Sequence, residues 1–180
     1  MFWAELHRET IVTVSDLTSL FDYSYWANGK LFSVLAQLTP EEFTQDVAGS
    51  YGSIRNTLVH VLSAEWGWLD RCGGARRGAP LKPADYPTLE SLSSAWQQVE
   101  RYVRDFLAAL ADRDLARPVE FSLGGGPKQI MPLGQLMHHA ANHGVHHRGQ
   151  VALLLRSLGH APGNIDLLLF YSRNDAAPAR

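Results

Sequence analysis

Five of the eight histidines in this chain lie within ten residues, between positions 138 and 147. His139, His143 and His147 are spaced four residues apart, so on an α-helix their rings share one face over two turns. Neutral imidazole is a common ligand for zinc, nickel and copper, and an i, i+4 pair can supply two ligands to one ion. This spacing predicts a metal site on the helix.

The same helical face carries leucines as well as histidines. With His143 placed at 0°, Leu136 and Leu154 fall near +20° and Gln150 near −20°. Burying imidazoles without partners costs on the order of 1–3 kcal/mol each, and one metal ion can satisfy several of them. From this geometry alone, either His139 and His143 or His143 and His147 could form the ligating pair. His146 falls at the edge of the face, while His138 and Arg148 are expected to point away from it.

A third ligand must come from another segment, and His60 is the strongest candidate. It lies at the margin of an apolar helical stripe, and its neighbours on that helix are small: Thr57, Ala64 and Gly67. His7 and His160 lie near a chain end or a turn and are weaker candidates. A single histidine at a helix edge is more often a surface or packing residue. A purely structural bundle, whose histidines pair with each other and with water, therefore stands as an alternative.

Apolar periodicity predicts four long helices that would position these groups. They span about 15–37, 52–71, 88–111 and 132–158, and Thr88 is the expected N-cap of the third. A Gly- and Pro-rich loop covers 73–87, and a short hairpin is expected from 117–121 and 128–131. A short last helix spans about 164–171. This order predicts an all-α, four-helix bundle formed as a single domain over 1–180, with a frayed tail at 172–180.

Composition excludes several classes of function. The formal net charge of −2 and the absence of long basic runs argue against nucleic-acid binding. The single cysteine, Cys72, rules out an intrachain disulfide framework. No apolar run is long enough to span a membrane, and no signal peptide is recognisable, so we expect a cytoplasmic protein. The motifs of zincin proteases, Cys-x-x-Cys zinc sites, phosphate-binding loops and nucleophile elbows are missing from the sequence.

Several strings resemble the DinB/YfiT-like family of metal-binding four-helix bundles. These strings are residues 21–28, residues 52–60 with the positions just after them, residues 142–150 (Asn-His-Gly-Val-His-His-Arg-Gly-Gln) and residues 159–167. The third string is the most specific. The resemblance runs from about Leu17 to Tyr171, and it leaves residues 1–11 as an N-terminal extension without an assigned role.

The resemblance implies an up-down-down-up bundle, commonly a homodimer, with one divalent ion that is often nickel or zinc. By position, the ligands implied are His60, His143 and His147. Some relatives are transferases or isomerases that use low-molecular-weight thiols. A substrate that is a small molecule, possibly with such a thiol, is therefore the expected partner.

Three imidazole ligands leave coordination positions free, which is typical of a catalytic metal site. Our leading hypothesis is an enzyme that activates water or a low-molecular-weight thiol for hydrolysis or for transfer to a small electrophile. His139 and Gln150 are expected to orient a ligand ring or the substrate. Arg148 is expected to be structural and paired with an acid on a neighbouring helix. The alternative is a non-catalytic metal- or small-molecule-binding stress-response protein, because no general base is evident; Glu65 lies about 140° from His60 around its helix.

Overall fold

The computed structural model describes residues 12–47, 50–74 and 78–173, and it is a bundle of four long helices. In chain order the α-helices are α1 (Val14–Leu35), α2 (Pro40–Thr44), α3 (Ile54–Arg71), α4 (Leu89–Ala108), α5 (Leu133–Ser157) and α6 (Leu167–Ser172). Two strands, β1 (Pro118–Phe121) and β2 (Gln129–Pro132), form an antiparallel hairpin in which Pro118 pairs with Pro132. Short 3₁₀ helices span Pro83–Asp85 and Asp112–Ala116. The all-α prediction is confirmed, and so is the hairpin.

Contacts at one end of the bundle fix the directions of the long helices. The backbone N–H of Val14 donates to the Asp112 carboxylate (2.7 Å), which joins the start of α1 to the segment just after α4. Arg117 donates from Nη2 to the carbonyl of Cys72 (2.6 Å), just after α3. Leu133, the first residue of α5, donates its N–H to the carbonyl of Arg117 (2.9 Å). Helices α1 and α5 therefore begin where α3 and α4 end, which is the expected up-down-down-up arrangement.

Side-chain caps set where the long helices begin. Thr13 and Asp16 form a capping box at the start of α1, and Ser53 accepts a hydrogen bond from the N–H of Asn56 at the start of α3. Thr88 caps α4, as predicted. These polar side chains satisfy backbone N–H groups that have no partner inside the helix. The predicted starts were therefore correct to within two residues for these three helices.

The sequence-based prediction was wrong around Thr39 and at two helix ends. Pro40 was expected only to stop the first helix, but it begins α2, with Thr39 and Glu42 forming a capping box. Proline is accommodated at the first position of a helix, where its missing N–H would have no helical partner in any case. The last helix begins at Leu167 rather than near 164, because Asp166 caps it. Helix α4 ends at Ala108, three residues before the predicted end.

Helix α5 lies between α3 on one side and α1 on the other, and it buries side chains against both. Toward both ends of α5 the buried side chains are apolar, namely Leu136, Ala140, Val151 and Leu155. Polar side chains interrupt this apolar core in the middle of the helix, where His147 and Arg148 are both buried. Within the described residues, no helix has both the length and the apolar composition needed to cross a bilayer.

Candidate metal centre

Three histidines from two helices point their ring nitrogens at one another between α3 and α5. The Nε2 atom of His143 lies 3.2 Å from Nε2 of His60 and 3.1 Å from Nε2 of His147. Ligand nitrogens of all three rings lie within 4.8 Å of one another. Helix α3 supplies one ring, and two successive turns of α5 supply the others. Three histidines so placed could hold one metal ion.

The spacing of the nitrogens fits the coordination shell of a divalent ion. With metal–nitrogen bonds of about 2.0–2.1 Å, two ligand atoms lie about 3.3–3.4 Å apart at the tetrahedral angle and about 2.9 Å apart at a right angle. Both Nε2 separations at His143, 3.2 and 3.1 Å, fall between these limits. Two of the three separations therefore match those of neighbouring ligands in one coordination shell, and ligand nitrogens of His60 and His147 lie within 4.8 Å of each other.

Hydrogen bonding on the far side of the His147 ring fixes its tautomer. Its Nδ1 lies 2.6 Å from Oε1 of Gln150, and because this oxygen can only accept, Nδ1 carries the proton. The lone pair of His147 is then on Nε2 and faces the other two rings. The same Gln150 oxygen accepts a hydrogen bond from the Ser50 hydroxyl (2.8 Å). Gln150 thus lies where a residue that orients a ligand ring would lie.

Burial keeps these imidazoles in the neutral form that binds metal. Desolvation, followed by the neighbouring His147 ring, lowers the pKa of His60 from 6.5 to about 4. Desolvation and the surrounding histidines lower the pKa of His143 to about 4 as well. Burial also lowers the pKa of His147. At neutral pH each of the three rings is therefore uncharged and has one nitrogen lone pair that can bind a metal ion.

Tyr51, which the sequence analysis missed, lies against the same centre. Its ring stacks on the His60 ring with 3.9 Å between the centroids and 20° between the planes. Its hydroxyl oxygen is 2.9 Å from Nε2 of His60. The residue precedes α3 in a non-helical segment, where helical periodicity carries no information. The sequence offered one signal: a tyrosine close to the start of a helix and nine positions before a candidate ligand.

A cavity of about 300 Å³ opens beside the centre on the side of His143 and His60. Its lining also includes Ser63, Ala64, Trp68, Arg71, Leu123 and His139. The Arg71 guanidinium lies over the Trp68 ring, 5.1 Å from its centroid, and Nη1 donates to the carbonyl of Gly67. The cavity therefore combines apolar walls, one cation and two of the three clustered histidines.

The structure places the other predicted histidines around the cluster rather than in it. His139 was expected on the buried face, but it is exposed; its ring lies edge-on to Trp68 (5.1 Å) at the mouth of the cavity, 5.9 Å from the His143 ring. The alternative pair of His139 and His143 is thus not the one that meets His60. His138 is exposed, as expected, and His146, which was placed at the edge of the face, is exposed as well. His160 lies 3.4 Å from the Glu42 carboxylate, away from the site, and His7 is outside the described residues.

Arg148 faces the opposite side of α5, where neutral groups rather than the expected acid are its hydrogen-bond partners, although Glu65 on α3 is near enough to interact with its charge. Nη2 donates to the hydroxyl of Ser24 (3.2 Å), and the amide of Asn28 lies 3.4 Å from Nη1. The guanidinium also lies over the Tyr23 ring, 5.3 Å from its centroid. Gly144, one turn earlier on α5, leaves space for the guanidinium, because a Cβ at that position would lie 3.0 Å from Nη1. Ser24 and Asn28 fill this role because they are the polar residues that α1 turns toward α5.

Glu65 is buried near Arg148 on the side of α3 away from His60. Tyr25 donates its hydroxyl to Oε1 of Glu65 (2.9 Å). Desolvation raises the pKa of Glu65 to about 7, against the lowering effects of Tyr25 and Arg148. Glu65 is not among the residues that line the cavity beside the histidines. This carboxyl therefore belongs to a second buried polar cluster, formed with Arg148, Tyr25, Ser24 and Asn28.

The fold and the histidine cluster define a helical bundle with a potential metal centre between two helices. A model of the DinB family matches residues 12–177, so the chain belongs to the DinB family. Protein DinB of Bacillus subtilis (strain 168) is 26% identical over 165 residues, which cover 88% of this chain and 96% of that protein. The uncharacterized protein YizA of the same organism is 26% identical over 148 residues, covering 81% of this chain and 90% of its own.

Solved structures share the fold at lower sequence identity. A DinB-like protein from Bacillus cereus ATCC 10987 superposes with a TM-score of 0.70 at 22% identity, covering 84% of this chain and 97% of its own. An uncharacterised protein from Escherichia coli UTI89 superposes with a TM-score of 0.57 at 16% identity, covering 83% of this chain and 96% of its own. These similarities confirm the predicted family and the bundle fold.

Proposed function

We propose that this protein binds one divalent metal ion through His60, His143 and His147 and acts on a small molecule beside it. The proposal rests on one observation. Three neutral imidazoles converge, with Nε2 of His143 lying 3.2 Å from Nε2 of His60 and 3.1 Å from Nε2 of His147. Neutral nitrogen donors suit zinc and nickel, and these are the ions we propose. Exposed carboxylates, the usual ligands of calcium and magnesium, are not part of the cluster.

The leading form of the proposal is an enzyme. A divalent ion held by three imidazoles lowers the pKa of a water or thiol that it binds, so that a nucleophile forms near neutral pH. The chain contributes the cavity in which a small electrophile would bind, with Trp68 and Leu123 as apolar walls. Arg71 supplies the cation that would orient an anionic group of the substrate or of a low-molecular-weight thiol. We propose hydrolysis or transfer of such a thiol as the reaction class.

A second candidate function is metal or small-molecule binding without turnover. Among the described residues, no aspartate or glutamate lines the cavity, so no carboxylate is placed there as a general base. His139 is the side chain in the lining that could move a proton without also being a ligand. The two candidates therefore differ in whether a substrate is consumed, and not in whether a metal binds.

We also propose that the protein forms a homodimer. Large apolar side chains are exposed on α5 and α6: Val145 (41%), Leu153 (66%), Leu168 (71%), Leu169 (40%) and Tyr171 (48%). Burying such a surface between two copies would remove it from water. Light scattering should give a mass of twice the 20.0 kDa of the chain. A mass equal to one chain would remove this part of the proposal.

The experiment begins with elemental analysis of untagged protein expressed in medium that contains zinc and nickel. We expect about one divalent ion per chain. Metal-loaded protein is then incubated with a panel of small electrophiles, with and without low-molecular-weight thiols, and product formation is measured by mass spectrometry.

Turnover by wild type that is lost in His143→Ala but kept in His138→Ala would support the enzyme. Stoichiometric metal without turnover across the panel would favour the binding protein. A wild-type protein without bound metal would contradict both forms of the proposal.

A further inference from the structure

We infer that Tyr51 is a fourth protein ligand, donating its hydroxyl oxygen to the ion held by the three histidines. The inference rests on the proposed metal centre and deepens it. Its starting observation is the 2.9 Å separation between the Tyr51 oxygen and Nε2 of His60. The same Nε2 atom is 3.2 Å from Nε2 of His143. One nitrogen thus has both a tyrosine oxygen and a second imidazole nitrogen within the distance of neighbouring ligands.

Without an ion this contact has the length of an ordinary hydrogen bond, and coordination geometry explains why it would become a ligand contact when an ion binds. When Nε2 of His60 gives its lone pair to an ion, it has none left to accept the proton of the Tyr51 hydroxyl. Two donor atoms bound at a right angle to an ion at about 2.0–2.2 Å lie about 2.8–3.1 Å apart. The oxygen of Tyr51 is therefore placed as a neighbouring ligand of His60 in one coordination shell.

The backbone before α3 is built to hold Tyr51 in this position. Ser50 has a positive φ of 51°, a conformation that costs a non-glycine residue on the order of 1 kcal/mol or more. Its hydroxyl compensates by bonding Gln150 on α5 (2.8 Å) and by lying 3.0 Å from the Thr57 hydroxyl on α3. The side-chain amide of Asn56 donates to the carbonyl of Tyr51 (3.2 Å). The segment is thereby tied to both helices that carry the histidines.

Stacking on His60 restricts the remaining freedom of the Tyr51 ring. The two rings are nearly parallel, at 20° and 3.9 Å, and the Tyr51 ring is 5.6 Å from that of His147. The side chain is 46% exposed, so packing against the core does not account for its orientation. Tyr51 does not line the cavity of about 300 Å³, which opens on the side of His139. The fourth ligand would therefore close one side of the centre and leave the cavity side for substrate.

The test uses copper(II) as a spectroscopic probe. A tyrosine oxygen bound to copper(II) produces a visible charge-transfer band that imidazole ligands alone do not produce. We expect this band in wild-type protein loaded with one equivalent of copper(II) and expect it to be absent in Tyr51→Phe. Phenylalanine keeps the stack on His60 and removes only the oxygen. The control is Tyr171→Phe on α6, where the tyrosine is exposed to a similar extent (48%) and lies outside the centre; this variant should keep the band.

Zinc affinity gives a second readout, measured by competition with a chromophoric chelator. Tyr51→Phe should bind zinc about tenfold more weakly or worse, whereas Tyr171→Phe should match wild type. Thermal melting of the metal-free proteins establishes that both variants are folded.

Wild type that binds copper(II) without the band, a band that persists in Tyr51→Phe, or unchanged zinc affinity in that variant would each overturn the inference and leave the histidine centre standing. A wild-type protein that binds neither ion would refute the centre itself.

Discussion

The two sides of helix α5 bury neighbouring residues in different ways. His147 points toward α3 and Arg148 toward α1, because successive residues on a helix are rotated by about 100°. On the α1 side, the guanidinium meets a hydroxyl, an amide and an aromatic ring that the protein supplies. On the α3 side, Nε2 of His143 lies 3.2 Å from Nε2 of His60 and 3.1 Å from Nε2 of His147. Protein groups hold the guanidinium except at its Nε, which has no hydrogen-bond partner among the described residues, whereas the three imidazoles bring ligand nitrogens within 4.8 Å of one another.

This difference separates a structural polar cluster from a binding site. Buried polar groups are normally hydrogen-bonded, and neutral imidazole nitrogens that converge from two helices can instead be satisfied by one metal ion. The Arg148 cluster should therefore contribute to the stability of the bundle whether or not metal is present. The histidine cluster should contribute stability mainly through the ion that it binds.

Arg148→Ala should lower the free energy of unfolding by about 3–5 kcal/mol, because it opens a cavity and leaves Glu65 buried without a nearby cation. Denaturant titration of metal-free protein measures this. Arg156→Ala is the matched control, since Arg156 is exposed on the same helix and its loss should change stability by less than about 0.5 kcal/mol. Equal stabilities for the two variants would show that the Arg148 cluster does not stabilise the bundle.

His143→Ala should weaken zinc binding by at least about 100-fold, because it removes the ring that lies next to both other ligands. Isothermal titration calorimetry provides the dissociation constants. His138→Ala, an exposed position on the same helix, should bind zinc like wild type. If His138→Ala lost zinc and His143→Ala kept it, the ion would have to bind on the outer face of α5.

Gln150→Ala should weaken zinc binding by about 10–100-fold while leaving one ion per chain. The change removes the acceptor that holds His147 with its lone pair on Nε2, and it also releases Ser50. The same calorimetric titration measures it, with Gln135→Ala, exposed near the start of α5, as the control. An affinity equal to that of the control would mean that Gln150 does not orient the ring.

The Glu65 carboxyl should make the stability of the metal-free protein depend on pH. Its pKa is raised from 4.5 to about 7 on folding, so the folded state binds more protons in that range and stability falls as the pH rises. The groups that face it are Tyr25 from α1, Arg148 from α5 and Glu100 from α4. Between about pH 6 and about pH 8, wild type should lose about 1 kcal/mol relative to Glu65→Gln.

Denaturant titrations at both pH values measure this difference. Glu90→Gln, at an exposed position in the first turn of α4, is the control and should follow wild type. A wild-type stability that rises in parallel with that of Glu65→Gln would show that the carboxyl is already ionised across this range.

The parts of the site that lie on regular helices could be predicted from the sequence. Four-residue spacing placed His139, His143 and His147 on one face, and small neighbours at the margin of an apolar stripe favoured His60 over His7 and His160. The resemblance to the DinB/YfiT-like family then selected His143 and His147 as the ligating pair. The structure brings these three rings together. Their role as ligands remains a prediction, and so does any role of His139. The long helices were predictable for the same reason, because apolar periodicity and capping residues act locally.

The parts that depend on tertiary geometry could not be predicted. Tyr51 reaches the centre from a segment in which Ser50 has a positive φ, and no periodic pattern encodes that turn. Arg148 was correctly placed away from the histidines. The sequence did not show that this side of α5 packs against α1. The partners of Arg148 were therefore sought among acids rather than among the hydroxyl and amide groups of α1.

Anomalous diffraction from crystals of untagged protein grown with zinc tests whether His60, His143 and His147 hold one metal ion. Data collected on the two sides of the zinc absorption edge locate the ion without reference to any assumed ligand. We expect one strong peak per chain between α3 and α5, about 2.0–2.1 Å from Nε2 of His60, His143 and His147. A strong peak elsewhere, such as at His138 or His146, or no zinc peak between these three rings at full zinc loading, would contradict it.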